Sequence, residues 1–396
     1  MTLDSRGRFH IPRAADGREC VYLCGHSLGL QPKNARAYIE QEMKDWELLG
    51  VNGHFRAKHP WVQYGKLLTD QTARLVGARP IEVVTMNSLT VNLHLMLVSF
   101  YRPTRARHKI VMEEHAFPSD RYAVKSQIRF HGYDPAESVA RVADEDELEE
   151  LLAREGESVA LVLIAGINYS SGRAFDMERV ARAAHQYGCT VGFDLAHAAG
   201  NLALKLHDWD ADFAVWCTYK YLNGGPGSIA GCFVHERHAR DEALPRFAGW
   251  WGNELETRFR MGPDFHASPG AEGWQISNPS ILDLAALRAS LDMFDEAGMD
   301  GVRAASVELT GYLESLLGEH ADRGFSIATP RDPKRRGAQL SIRVPGSVRA
   351  VCERLAAADV VCDWREPDIL RVAPAPMYNS RQDIARFVHE FVRALD

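Results

Sequence analysis

Residues 191–229, VGFDLAHAAGNLALKLHDWDADFAVWCTYKYLNGGPGSI, restrict the fold more than any other stretch. A short apolar segment, Thr190-Val191-Gly192-Phe193, ends on Asp194, with His197 three residues on. A second, Phe213-Ala214-Val215-Trp216-Cys217, runs into Thr218-Tyr219-Lys220 and then a glycine cluster. Both are too short for helices and rich in β-branched or aromatic residues, so they read as buried strands. In an α/β sheet, ligands gather outside the carboxyl ends of the strands, where Asp194 and Lys220 would both sit. Burial among Trp216, Tyr219 and Tyr221 is expected to strip water from the Lys220 amine and favour its nucleophilic form. Singly, a strand-end Asp is an ordinary helix cap and a Lys beside glycines an ordinary loop residue. The pairing across consecutive strands is what points to a site. Pyridoxal phosphate requires such a pair: a lysine for the Schiff base and a carboxylate that keeps the pyridine nitrogen protonated.

The rest of the chain fits an α/β enzyme of two lobes, since 396 residues exceed one typical core. A hydrophobic fraction of 46%, a charged fraction of 25% and a net charge of −7 describe a soluble protein without a nucleic-acid-binding surface. No apolar run reaches the length of a membrane span, and the opening MTLDSRGRFHIP carries no signal-peptide core. Seven scattered cysteines, with Cys20 and Cys24 lacking a second ligand pair, argue for reduced thiols in a cytoplasm and against zinc. His235-Glu236-Arg237-His238 is not a metalloprotease motif, and no metal is expected.

In chain order, Pro32 is expected to open a helix placing Ile39, Met43 and Trp46 on one face, with Gly50 ending it. The glycines before it would allow a tight backbone beside the site. The loop of residues 51–60 carries His54 among basic side chains that suit an anionic substrate. A helix over 66–77 leads to a strand at 81–85, a polar turn and a helix from Val91. That junction is an anion site, with Leu89 and Thr90 offering backbone N–H groups and a hydroxyl to the cofactor phosphate. Strand 109–112 ends near Phe117 and Asp120; from the residues alone Phe117 reads as core rather than cofactor platform. An acidic helix (145–155), an apolar central strand (160–165) and a helix reaching Tyr187 follow. His197 would lie one turn beyond Asp194 if a helix starts there, supporting Asp194 or reaching the cofactor phosphate. Tyr219 can donate to the phosphate and assist proton transfers. A long helix from Ile281 should bridge the lobes, and residues 369–379 read as a strand carrying Arg371, whose guanidinium can fork a carboxylate.

The phrases GFDLAHAAGN, LHDWDADFAVWCTYKYLNGGPG and FAGWWGNELETRF resemble the kynureninase family, within the fold type I, aspartate-aminotransferase-like pyridoxal-phosphate enzymes. The resemblance runs from Tyr22 to about Ser380. It implies a large domain with a mostly parallel central sheet (51–280) and a smaller C-terminal α/β domain with its bridging helix (281–396). An N-terminal segment (1–50) would join the small domain. It implies that Phe117 stacks on the pyridine ring and that Asp120 holds the cofactor, and that Arg371 clamps the substrate α-carboxylate. His54 would help select the substrate's aromatic ring. Trp250 and Asn278 would reach cofactor and substrate from the partner subunit of an obligate homodimer. Two positions depart from the family: His26 stands where Asn is usual, and Ala165 where relatives carry a cofactor-contacting Ser or Thr. The implied reaction is hydrolysis of L-kynurenine or its 3-hydroxy form to an anthranilate and L-alanine in tryptophan degradation. Lys220, Tyr219 and Asp194 would be catalytic. The rivals are another fold type I enzyme such as a cysteine desulfurase, for which Cys352 and Cys362 sit in poor surroundings, and a cofactor-binding protein without turnover.

Overall fold

The computed structural model describes residues 3, 5–241 and 243–396. Strand β1 (Val21–Tyr22) precedes seven strands that form one sheet. These are β2 (Val83–Thr85), β3 (Lys109–Glu113), β4 (Val139–Val142), β5 (Val159–Ala165), β6 (Thr190–Asp194), β7 (Phe213–Trp216) and β8 (Gly231–Val234). Their spatial order is β2-β8-β7-β6-β5-β3-β4. Only β8 runs against the rest. β5 is the apolar run the sequence marks as central, and six of its seven residues are buried. The helix Met177–Gln186 turns Met177, Val180, Ala181, Ala183 and Ala184 inward, the 3.6-residue spacing of a helix covering a sheet.

A second sheet, ordered β12-β13-β10-β9, is antiparallel: β9 (Ser326–Ile327), β10 (Leu340–Arg343), β12 (Asp363–Arg365) and β13 (Ile369–Val372). The short β11 (Val360–Val361) pairs with β1, so Val21 and Leu23 share a core with Leu313, Leu340, Val372 and Phe387. The helix Ile281–Ala297 buries Ala285, Leu287, Leu291 and Phe294 as its periodicity requires, while Leu282 is left 38% exposed.

Two local expectations are corrected. The helix after Pro32 begins at Ala35, and its inward positions are Glu42 and Asp45, while Met43 and Trp46 are exposed. The reason is hydrogen bonding: Trp61 Nε1 donates to Glu42 (2.9 Å), and the Lys58 N–H donates to Asp45 (3.0 Å). These acids tie the helix to the 58–61 loop. No helix follows Asp194. Residues 196–200 are turns, with the Ala198 and Ala199 N–H groups donating to Leu195 O. No helix among the described residues is long and apolar enough to cross a membrane.

Candidate active site

The carboxyl ends of β3, β5 and β6, with the loop after β7, enclose a cavity of about 230 Å³. Leu89, Thr90, Phe117, Asp120, Asp194, His197, Tyr219 and Lys220 line it, so eight sequence-selected residues meet in one place. Lys220 Nζ lies 3.2 Å from His197 Nε2 and 5.8 and 5.9 Å from the ring centroids of Phe117 and Tyr219. The enclosing rings are therefore Phe117 and Tyr219, whereas Trp216 lies in the core opposite Gly231. The expected tight backbone is present: a Cβ on Gly29 would stand 2.3 Å from Lys220 O, and the Gly29 N–H donates to Tyr219 O.

The acids are unevenly disposed. Asp194 is buried and accepts from the Ala196 N–H at 2.7 Å. Burial and the neighbouring Asp194 charge push the Asp120 carboxyl well above the usual carboxylate range, and its Oδ1 has no partner. His197 is held neutral by burial and by Lys220. With Lys220 donating to Nε2, the ring proton sits on Nδ1, buried and unpartnered. Burial also raises the Tyr219 phenol, so it stays protonated at neutral pH and able to donate.

Phe117 is 41% exposed with its ring edge-on to Tyr169, which overturns the core reading drawn from its residue type. The helices Leu89–Phe100 and Pro118–Phe130 both begin at the cavity. Ser88, at the first N-cap, makes no side-chain cap, and Thr90 Oγ1 meets Ser119 Oγ at 2.8 Å. Free N–H groups at the first helix start suit a phosphate. An open aromatic face, an unpartnered carboxyl oxygen and a free imidazole N–H suit a planar ring with polar edges. The residues present fit pyridoxal phosphate.

Arg371, on β13, is fully buried beside this cavity. Its Nη1 donates to the carbonyl of Tyr169, a cavity residue, at 2.9 Å, and its other edge is forked by Asp363. His54, Trp250 and Asn278 do not line the cavity within one chain. His54 packs edge-on to Trp61 at 5.5 Å, Trp250 is 43% exposed with Nε1 donating to Arg258 O, and Asn278 is exposed.

Among the residues of the site that escaped the sequence reading are Glu113, Tyr169 and Asp363. Glu113 ends β3 as Asp194 ends β6; it lines the cavity, accepts from the Ala165 N–H at 3.1 Å and is raised to about 7 by burial. Its strand-end position was the available signal. Tyr169 lines the cavity from a turn with no chemical motif. Asp363 is placed by strand register alone, directly opposite Arg371.

Solved structures share the fold. A C-DES mutant with glycine covalently linked to its PLP cofactor superposes with a TM-score of 0.81 at 16% identity, covering 95% of this chain and 96% of that one. The cysteine desulfurase CsdA from Escherichia coli gives 0.78 at 18%, covering 98% and 97%. In sequence, residues 302–391 match the family model of the kynureninase C-terminal domain. The kynureninase of Koribacter versatilis is 65% identical, covering 99% of this chain and 94% of that protein. Those of Myxococcus xanthus and Stenotrophomonas maltophilia are 57% and 53% identical over 97% of this chain, and 92% and 93% of theirs. Identity at this level along nearly the whole length of both partners means that the chain belongs to the kynureninase family.

Proposed function

We propose that the protein hydrolyses L-kynurenine, or its 3-hydroxy form, to the anthranilate and L-alanine in tryptophan degradation, with pyridoxal phosphate as cofactor. The observation that carries this reading is the joint placement of Lys220, His197, Asp194 and Asp120 around one cavity, with Arg371 at its edge. Pyridoxal phosphate, when bound, supplies the electron sink that makes the substrate Cα acidic. Leu89 and Thr90 would hold its phosphate at the helix start, Phe117 would offer its face to the ring, and Asp194 and Asp120 would hold the ring's polar edge. Arg371 takes the α-carboxylate of the amino acid, and Lys220 takes and returns the proton at Cα. Water attacks the side-chain ketone, the Cβ–Cγ bond breaks, and Tyr219 delivers a proton to the three-carbon fragment that leaves as alanine.

His54, Trp250 and Asn278 belong to this scheme through a second copy of the chain. The support is an exposed apolar surface around two of them. Phe55 (64% exposed) packs on Phe259 at 5.7 Å, Phe259 on Trp250 at 5.5 Å, and Met261 is 69% exposed. A homodimer pairing this surface would bring the three residues to the partner's cavity, His54 against the substrate ring. Seven free thiols fit a cytoplasmic setting. The desulfurase alternative requires a cysteine at the lysine, and among the described residues none lines the cavity.

The test is a visible absorbance scan of purified protein followed by anthranilate fluorescence after adding kynurenine. A yellow protein that releases anthranilate, and whose Lys220→Ala variant does not, supports the reading. A yellow protein inert to both kynurenines sinks the substrate assignment and keeps the cofactor.

A further inference from the structure

His26 lies in the turn after β1, with its side chain fully enclosed. Its Nε2 is 3.0 Å from Asp363 Oδ1. The same oxygen accepts from Arg371 Nε at 2.8 Å, and Asp363 Oδ2 accepts from Arg371 Nη2. Although burial opposes its charge, Asp363 is held well below the usual carboxylate range by His26 and Arg371, so it is ionised. An ionised Asp363 can only accept, which puts the imidazole proton on Nε2. Burial, with Arg371 nearby, lowers His26 to about 4, so the ring is a neutral donor. Arg365 adds a cation 3.3 Å from Asp363 Oδ2.

A guanidinium has five N–H donors. Arg371 spends one on Tyr169 O and two on Asp363, which leaves one N–H on each terminal nitrogen, the pair that forks a carboxylate. Asp363 thus fixes the plane of Arg371 without occupying its outer end, and His26 fixes Asp363 from the other side. The residues come from three places: the N-terminal turn, β12 and β13. The His26 ring also stands 6.3 Å from that of His197, the partner of Lys220.

We propose that His26 is a positioning residue for substrate binding: its neutral N–H locks Asp363 so that Arg371 is preset to fork the α-carboxylate of the amino-acid substrate. This rests on the reading of Arg371 as the carboxylate clamp. An Asn at this place would serve the same end, since its amide is also a neutral N–H donor.

The experiment is steady-state kinetics with L-kynurenine on cofactor-saturated enzyme. It is paired with an absorbance titration by L-alanine, which shares the α-carboxylate but has no aromatic ring. His26→Ala raises KM about tenfold with kcat within about threefold of the parent, the signature of lost ground-state binding. Alanine affinity falls in parallel while the absorbance of the substrate-free holoenzyme is unchanged. His26→Asn stays within about threefold of the parent in KM because the donor is restored. An unchanged KM in His26→Ala overturns the proposal. So does a His26→Asn variant as impaired as His26→Ala, because the effect is then one of volume. Arg371→Lys separates the two layers. If it leaves KM unchanged, the clamp reading falls and the proposal with it; if it raises KM while His26→Ala does not, only the role of His26 is lost.

Discussion

Glu113 shows how one buried carboxyl sets the behaviour of the site. It is raised from 4.5 to about 7 because burial penalises its charge more than the Ala165 N–H stabilises it, and Asp194 adds repulsion. A carboxyl raised by folding contributes stability in full below its unfolded value, and that contribution is lost as pH climbs through the folded one. The window here runs from about 4.5 to about 7. Cofactor-free protein should therefore lose up to about 3 kcal/mol through this group between pH 4.5 and pH 8. Glu113→Gln should lack that part of the slope. Urea unfolding of parent and variant at pH 5 and pH 8 measures it, and equal pH dependence in both would refute the assignment. Glu113 also holds the backbone at Ala165, whose N–H donates to it.

At the scale of elements, the sheet depends on glycines facing aromatics across strands. Gly192 on β6 pairs with Phe213 on β7, and Gly231 on β8 pairs with Trp216. A Cβ at either glycine would stand 2.1 Å from the ring opposite it. Neither glycine has a positive φ, so the requirement is space and not backbone conformation. Gly231→Ala should cost about 1–3 kcal/mol through overpacking. A lower urea midpoint with an unchanged m-value is the expected reading, and an unshifted midpoint would show that Trp216 can move aside. At the end of β7 and β8 away from the active site, Glu82 is fully buried and accepts from the N–H groups of Arg79 and Glu236 and from His207, each at 2.8 Å. That carboxylate joins β2, β8 and the 207 loop into one rigid end, leaving the opposite end to the chemistry.

For the whole molecule, the composite-site reading has its own consequence. A Lys220→Ala protomer lacks the lysine but keeps Trp250; a Trp250→Ala protomer lacks the tryptophan but keeps Lys220. If active sites form between copies, co-refolding the two variants in equal amounts should restore about a quarter of the parent activity. Half of the dimers would be mixed, each with one intact site. Activity no higher than the sum of the separate variants would place both residues in the same chain's site. The exposed surface of Phe55, Phe259, Trp250 and Met261 predicts that diluting the enzyme lowers activity and uncovers these rings together.

What the sequence determined by itself was local and periodic. The short apolar runs gave β5, β6, β7 and β13, the helix from Ile281 followed its spacing, and Asp194, Lys220, Leu89 and Thr90 were marked by standing at or just beyond element ends. These follow from chain-local geometry, because a strand of given length puts its last residue at the sheet edge wherever the sheet lies. Residue type misled where neighbours distant in sequence decide burial. Trp61 and the 58–61 loop turned Glu42 and Asp45 inward and left Met43 and Trp46 outside, and an open cavity kept Phe117 from the core. The exposed surface bearing Trp250 is likewise a fact of tertiary packing. Only the tertiary structure could place Asp363 against Arg371 and His26, since β-register and a separation of 337 residues bring those three together. Side-chain charge and hydrogen bonding act over a few ångströms, and chain position carries no information about such distances until the sheets have closed.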